Sequence, residues 1–133
     1  MTGCILDSDV LIQLLRKDAK AVGDIASIPI PARHTTIITC SELLYGAYNS
    51  AAVERNLAVT HQLLNELTIL PLTYECCEQY GALKALLRKR GITIGDKDLL
   101  IAAIAVSHNL PIFTYNLRDF GRVPGLKLHP LSR

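Results

Sequence analysis

No pair of cysteines is spaced as CxxC: Cys4, Cys40, Cys76 and Cys77 stand apart or side by side, the adjacent pair within a segment that reads as helix. That excludes a disulfide framework and predicts free, mostly buried thiols in a reducing compartment. Histidine offers no metal cluster either, since His34, His61, His108 and His129 are scattered singly, so nothing here can assemble a zinc centre. No apolar run approaches the roughly 18 residues of a membrane span, and no charged-then-apolar leader opens the sequence. A cytoplasmic protein with no membrane partner is expected. Internal repeats, linkers and low-complexity stretches are also missing, so residues 1–133 read as a single domain, able to bury roughly 68% of its unfolded surface. Net charge is only +2, too small by itself to announce a nucleic-acid partner.

What is present is a globular composition, half hydrophobic and one fifth charged. Cys4-Ile5-Leu6 reads as a short strand, followed by helical spacing from Asp9 to Lys17 and a second helix over about Ala19 to Ser27, before the breakers Pro29 and Pro31. The β-branched run Thr35-Thr36-Ile37-Ile38 predicts a strand that runs into a helix through Thr39-Cys40-Ser41-Glu42 as far as Tyr48. A helix over about Ala52 to Leu67 comes next, then a strand Thr68-Ile69-Leu70 and a long helix from Tyr74 to Arg90, stopped by Gly91. An apolar helix opened by Asp96 and Asp98 precedes the strand Pro111 to Thr114, and Leu126-Lys127-Leu128 is a weak edge strand. Short strands alternating with helices predict an α/β domain with a parallel sheet and right-handed crossovers.

Ligands bind outside the carboxyl ends of strands in open parallel sheets, and acids fall at that edge. Asp7 directly follows the first strand, Glu42 lies a helical turn past the second, Asp98 opens the apolar helix, and Asp119 follows the strand ending at Thr114. Brought together, these carboxylates would repel and could not all ionise alone. The natural counter-ion is a hard divalent cation, Mg²⁺ or Mn²⁺, which favours all-oxygen sites and activates water toward a phosphodiester. Each acid also has a structural reading. Thr39 and Glu42 match a capping box, Asp7 fits an Asx turn, and Asp119 suits a first helical turn. Asp96 can cap its helix after Gly95, which leaves Asp98, about 200° further round, facing another way. Asp9, Asp96 and Asn116 read as caps, turn residues or groups reaching the metal through water.

Basic residues gather at Arg88-Lys89-Arg90 and at Arg118, Arg122, Lys127 and Arg133, either as solvated surface or as a phosphate-facing rim. Tyr45 and Tyr48 read either as core or as a partner surface.

The segments Ile5-Leu6-Asp7-Ser8-Asp9-Val10-Leu11-Ile12, Ser41-Glu42-Leu43-Leu44-Tyr45-Gly46-Ala47, Ile94 to Ala103, and Thr114-Tyr115-Asn116-Leu117-Arg118-Asp119-Phe120 occur in the order found in PIN domains. Over essentially its whole length the chain resembles the VapC-type toxins of bacterial type II toxin-antitoxin systems. The resemblance implies a three-layer α/β/α fold with a short, mainly parallel central sheet. It also implies a Mg²⁺-dependent (or Mn²⁺-dependent) endoribonuclease whose acids match Asp7, Glu42, Asp98 and Asp119, using one or two metal ions. A homodimer and a cognate VapB-type antitoxin in the active-site groove are implied as well. Glu54 to Val59 is similar to the enterobacterial branch, whose substrate is the anticodon loop of initiator tRNA. Asp9 and Tyr115 stand where the family usually and often, respectively, has Asn. Tyr115 is then free to stack on a base or to pack, and Arg118 and Arg122 are the candidate RNA contacts. Two other readings compete. Asp7-Ser8-Asp9 resembles the nucleophile motif of haloacid-dehalogenase-type phosphatases, although Leu100 occupies a position where that family needs an acid. A non-catalytic binding module would use the same acids only as caps.

Overall fold

The computed structural model describes residues 2–132 and has the order β1 (Cys4–Leu6), α1 (Ser8–Leu15), α2 (Ala19–Ala26), β2 (Arg33–Thr36), α3 (Ile37–Tyr48), α4 (Val53–Asn65), β3 (Thr68–Leu70), α5 (Tyr74–Lys89), α6 (Asp96–His108), β4 (Ile112–Phe113) and α7 (Leu117–Phe120). A single 3-10 turn, Ile30–Ala32, leads into β2. The strands form one sheet in the order β3-β2-β1-β4, with every pairing parallel. The expected fifth strand reduces to one parallel bridge between Leu128 and Ile112 on the β4 edge.

Alternation along β1 explains the three layers. Successive side chains of a strand point to opposite faces. Ile5 and Ile112 therefore join the core formed with α5 and α6, while Cys4, Leu6 and Phe113 join the core under α1 to α4. α6 is buried nearly all round, with Leu99 and Ile101 to Ala105 inaccessible, as its apolar composition requires. It ends at Asn109 in the left-handed conformation, φ 52°. Cys4, Cys40 and Cys76 are buried free thiols and Cys77 is an exposed one. Among the described residues no helix is long and apolar enough to cross a membrane.

Two boundaries differ from the sequence expectation, and both change the reading of acids. β2 stops at Thr36, whose hydroxyl caps α3 by accepting from the Thr39 amide at 3.2 Å, so the β-branched Ile37 and Ile38 enter the helix instead of extending the strand. The cap lies three residues before Thr39, which removes the capping-box explanation for Glu42 and leaves that acid in the second turn of α3. At α6 the cap is Gly95, not Asp96, and no side chain closes that terminus.

Candidate active site

The carboxyl ends of β1, β2 and β4, and the helices that leave them, bring the acids to one edge of the sheet. Asp7 is the cap of α1: its Oδ1 accepts from the Ser8 amide at 2.8 Å. Its Oδ2 accepts from the Thr114 hydroxyl at 2.7 Å, joining residues 107 apart in sequence. The same hydroxyl approaches Asp9 Oδ2 at 3.4 Å and accepts from the Asn116 amide at 2.9 Å, and the Tyr115 amide donates to Asp9 Oδ2 at 3.1 Å. From α3, Glu42 meets the Ser8 hydroxyl at 3.3 Å. Asn116 then links the remaining pair, its Nδ2 donating to Asp119 Oδ2 at 3.2 Å and lying 3.4 Å from Asp98 Oδ2.

These contacts link Asp7, Asp9, Glu42, Asp98, Asp119 and Asn116 into one cluster at that edge. Asp96 lies elsewhere. It is exposed on the other side of the first turn of α6, bonded to Lys84 and to the Tyr80 hydroxyl at 2.8 Å each, and so stands away from the acid pocket. Asp96 and Asp98 thus leave α6 toward different surfaces, as their spacing requires, and Gly95 rather than Asp96 is the cap.

Electrostatics report the crowding. Burial raises Asp7 from 3.8 to about 7, helped by the charges of Asp9 and Asp98, and the bonds from Thr114 and Ser8 do not offset it. Burial also raises Asp98, with Glu42, Asp119 and Asp9 adding repulsion, and burial raises Asp9. Asp119 moves the other way, held low by Asn116 and then by Arg122, whose guanidinium sits 2.7 Å from it. Lys97 gives Glu42 a looser counter-ion at 3.6 Å.

The donor set is all oxygen, which fits a hard cation such as Mg²⁺ or Mn²⁺ and no softer metal. Two buried carboxylate atoms, Asp9 Oδ1 and Glu42 Oε1, have no hydrogen-bond partner, a costly state that a cation would relieve. Among the described residues no three of these groups already stand as a ligand set for an ion. Instead, the Asn116 side-chain amide bonds Asp98 and Asp119, and Arg122 bonds Asp119. A metal would enter by displacing these protein donors from their carboxylates.

Other expected positions resolve individually. Arg118 and Arg122 are exposed beside Asp119. Lys127 bonds Asn109 at the opposite end of α6, so it is not part of that rim, and Arg133 lies outside the described residues. Tyr115 packs edge-on to Phe113 at 5.6 Å, with Lys20 5.0 Å from its ring centre and its hydroxyl 3.3 Å from Asp24. Its main-chain amide donates to Asp9. Tyr45 and Tyr48 are exposed, 67% and 65%, and so are not core. Sequence reasoning missed Thr114 and Ser8, the hydroxyls that orient Asp7 and Glu42. The available signal was a hydroxyl residue at a strand end, beside an acid in one case and facing one in the other.

Comparison with known proteins gives the family and the fold. The PIN domain family matches residues 4–126. The chain is 32% identical over 124 residues to the tRNA(fMet)-specific endonuclease VapC of Salmonella typhimurium, covering 93% of this chain and 94% of that protein. It is 35% identical over 123 residues to ribonuclease VapC2 of Haemophilus influenzae, covering 92% and 93%. Its fold superposes on the chain in the DNA-bound VapBC crystal structure from Salmonella typhimurium with a TM-score of 0.91, at 32% identity and covering 97% and 98%. VapBC2 of Rickettsia felis, bound to a DNA fragment from the promoter, gives 0.89 at 26% identity, covering 96% and 98%. With a family match over residues 4–126 and relatives at 32% and 35% identity over nearly the whole length, the chain belongs to the PIN domain family and stands among its VapC ribonucleases.

Proposed function

We propose that this chain is the toxin of a type II toxin-antitoxin pair, a Mg²⁺-dependent endoribonuclease that cuts the anticodon loop of initiator tRNA, works as a homodimer and is held inactive by a VapB-type antitoxin. The observation that carries the reading is the meeting of Asp7, Glu42, Asp98 and Asp119 from separate crossovers at one sheet edge, with two buried carboxylate oxygens unpartnered there. Tyr115 and Asp9 supply no alternative chemistry, since one packs and the other adds a further oxygen donor.

Asp7, Glu42, Asp98 and Asp119 would hold the cation, with Asp9 beside Asp7. Mg²⁺ held there would lower the pKa of water and neutralise charge on the phosphodiester, and hydrolysis would leave a 5′-phosphate and a 3′-hydroxyl. Thr114 and Ser8 fix the carboxylates of Asp7 and Glu42 so that little reorganisation remains at the moment of reaction. Asn116 and Arg122, released from Asp98 and Asp119, have N–H donors to turn toward a phosphate. Exposed Arg118 and Arg122 offset repulsion between RNA and the acid pocket. Because the chemistry does not use the RNA 2′-hydroxyl as nucleophile, preference for RNA comes from the shape of a loop with splayed bases.

The test is purified protein incubated with Mg²⁺ and either initiator or elongator methionine tRNA, followed by mapping of the new 5′ ends. Cleavage confined to the initiator anticodon loop, lost in EDTA and in Asp98→Asn, is expected. Cleavage persisting in EDTA removes the metal from the reading, and equal cleavage of both tRNAs removes the substrate assignment.

A further inference from the structure

The first turn of α6 separates two surfaces. Asp98 faces the acid pocket, while its neighbour Leu99 lines a concavity of about 310 Å³ on the far side, between the end of α5 and the segment Gly91 to Ile94. The two lie about one helix diameter, roughly 10 Å, apart. Arg122 spans them at the surface, with one guanidinium nitrogen bonding Asp119 at 2.7 Å and the Thr93 carbonyl at 3.3 Å.

The concavity has a two-part lining. Leu87, Ile92 and Ile94 give it an apolar floor, and Lys84 and Arg88 stand at its edge. Arg88 is exposed, in the last turn of α5, and its guanidinium has no ion-pair or hydrogen-bond partner among the described residues. Lys84 is held in place: its ammonium bonds Asp96 at 2.8 Å and the Tyr80 hydroxyl at 3.1 Å. An ammonium carries three donors, so one stays available beside Arg88. The guanidinium can meet a phosphate with two parallel hydrogen bonds. An apolar floor under paired cations suits a nucleotide whose base has left its stack: ribose or base rests on the floor and the phosphate meets the cations.

We infer that the α5–α6 concavity is a substrate subsite, seating a splayed nucleotide close to the scissile phosphodiester with its phosphate on Arg88 and Lys84. The inference rests on the ribonuclease reading above and extends it by giving the bound strand a direction, from the acid pocket over Arg122 and toward the end of α5. It also gives Asp96 and Tyr80 a task, that of orienting Lys84.

The experiment measures binding of an initiator tRNA anticodon stem-loop by fluorescence anisotropy, with all variants in an Asp98→Asn background so that the RNA survives. Arg88→Glu is compared with Lys127→Glu, the same charge change at the opposite end of α6. Arg88→Glu is expected to weaken binding at least tenfold and to flatten the salt dependence by about one phosphate contact, whereas Lys127→Glu has little effect. Neutral methylphosphonates placed singly around the loop are then expected to reveal one linkage whose neutralisation weakens binding to the Asp98→Asn protein but not to the Arg88→Glu version. Coupling of that kind assigns a particular phosphate to Arg88. Equal losses from Arg88→Glu and Lys127→Glu, or the absence of any such linkage, overturn the subsite. If the protein without substitutions still cuts the tRNA while Arg88→Glu binds unchanged, the subsite fails and the proposed function stands. If the unsubstituted protein cuts no RNA, both fail.

Discussion

Thr114 donates its hydroxyl proton to Asp7 across the ends of β1 and β4, at 2.7 Å and with both residues buried. The bond satisfies one carboxylate oxygen of Asp7 while the Ser8 amide satisfies the other. Thr114→Ala would leave Asp7 Oδ2 without this donor in a place water barely reaches. A loss of about 1–3 kcal/mol in urea unfolding is expected, with Thr114→Ser within about 1 kcal/mol of the parent. Equal stability of the alanine and serine variants would contradict this role.

Asp7→Asn removes a negative charge that burial and Asp9 already oppose. The asparagine carbonyl can still accept from Ser8, and the Thr114 hydroxyl can turn to Asp9, 3.4 Å away. Cleavage should disappear while the chelated protein melts roughly 3–8 °C higher at pH 8. The rise in melting temperature that millimolar Mg²⁺ gives the parent should be lost as well. Thermal scans with EDTA and with Mg²⁺ read both effects, and a variant less stable than the parent in EDTA would refute the repulsion argument.

Burial holds the His129 imidazole below its ordinary value of 6.5. Its Nδ1 accepts from the Leu131 amide at 3.1 Å, and its ring stacks on Phe113 at 5.8 Å. A histidine depressed in the folded state takes up its proton first in the unfolded chain. Its contribution is therefore complete above about 6.5 and is lost as the pH falls through the folded value. Glutamine keeps an acceptor and does not titrate. The difference in urea midpoint between the parent and His129→Gln should thus shift against the parent between pH 7.5 and pH 5.

Gly3 has φ +112°, and a Cβ there would lie 2.2 Å from the Ala32 carbonyl oxygen. Both the backbone angle and the contact oppose a side chain just before β1. Gly3→Ala should cost at least about 2 kcal/mol. Gly23→Ala, where nothing lies within 4 Å in the middle of α2, should be neutral or slightly stabilising. Urea unfolding of the two variants side by side checks the contrast.

Much of the fold could be read from the residues because short apolar strands and periodic helices leave strong patterns. Cys4 to Leu6, Thr68 to Leu70 and the long α5 fall where their composition puts them. The β2 boundary did not, because the Thr36 cap takes Ile37 and Ile38 into a helix against their own β preference. In the site, the spacing of Asp96 and Asp98 was enough to send them to different surfaces. Their partners were not legible, since Asn116 and Lys84 meet these acids only through the crossing of α5, α6 and α7. Likewise Lys127 is close to Arg122 in sequence, yet it sits at the other end of α6 because the chain doubles back toward the start of β4.

The 107-residue separation closed by Thr114 and Asp7 has a consequence for biosynthesis. On the ribosome the acids of α1 and α3 emerge well before β4 docks beside β1. A growing polypeptide therefore carries Asp7, Glu42 and Asp98 without Asp119, and without the Thr114 hydroxyl that orients Asp7, until the last strand is in place. The cell that makes this protein is spared a working nuclease during translation itself.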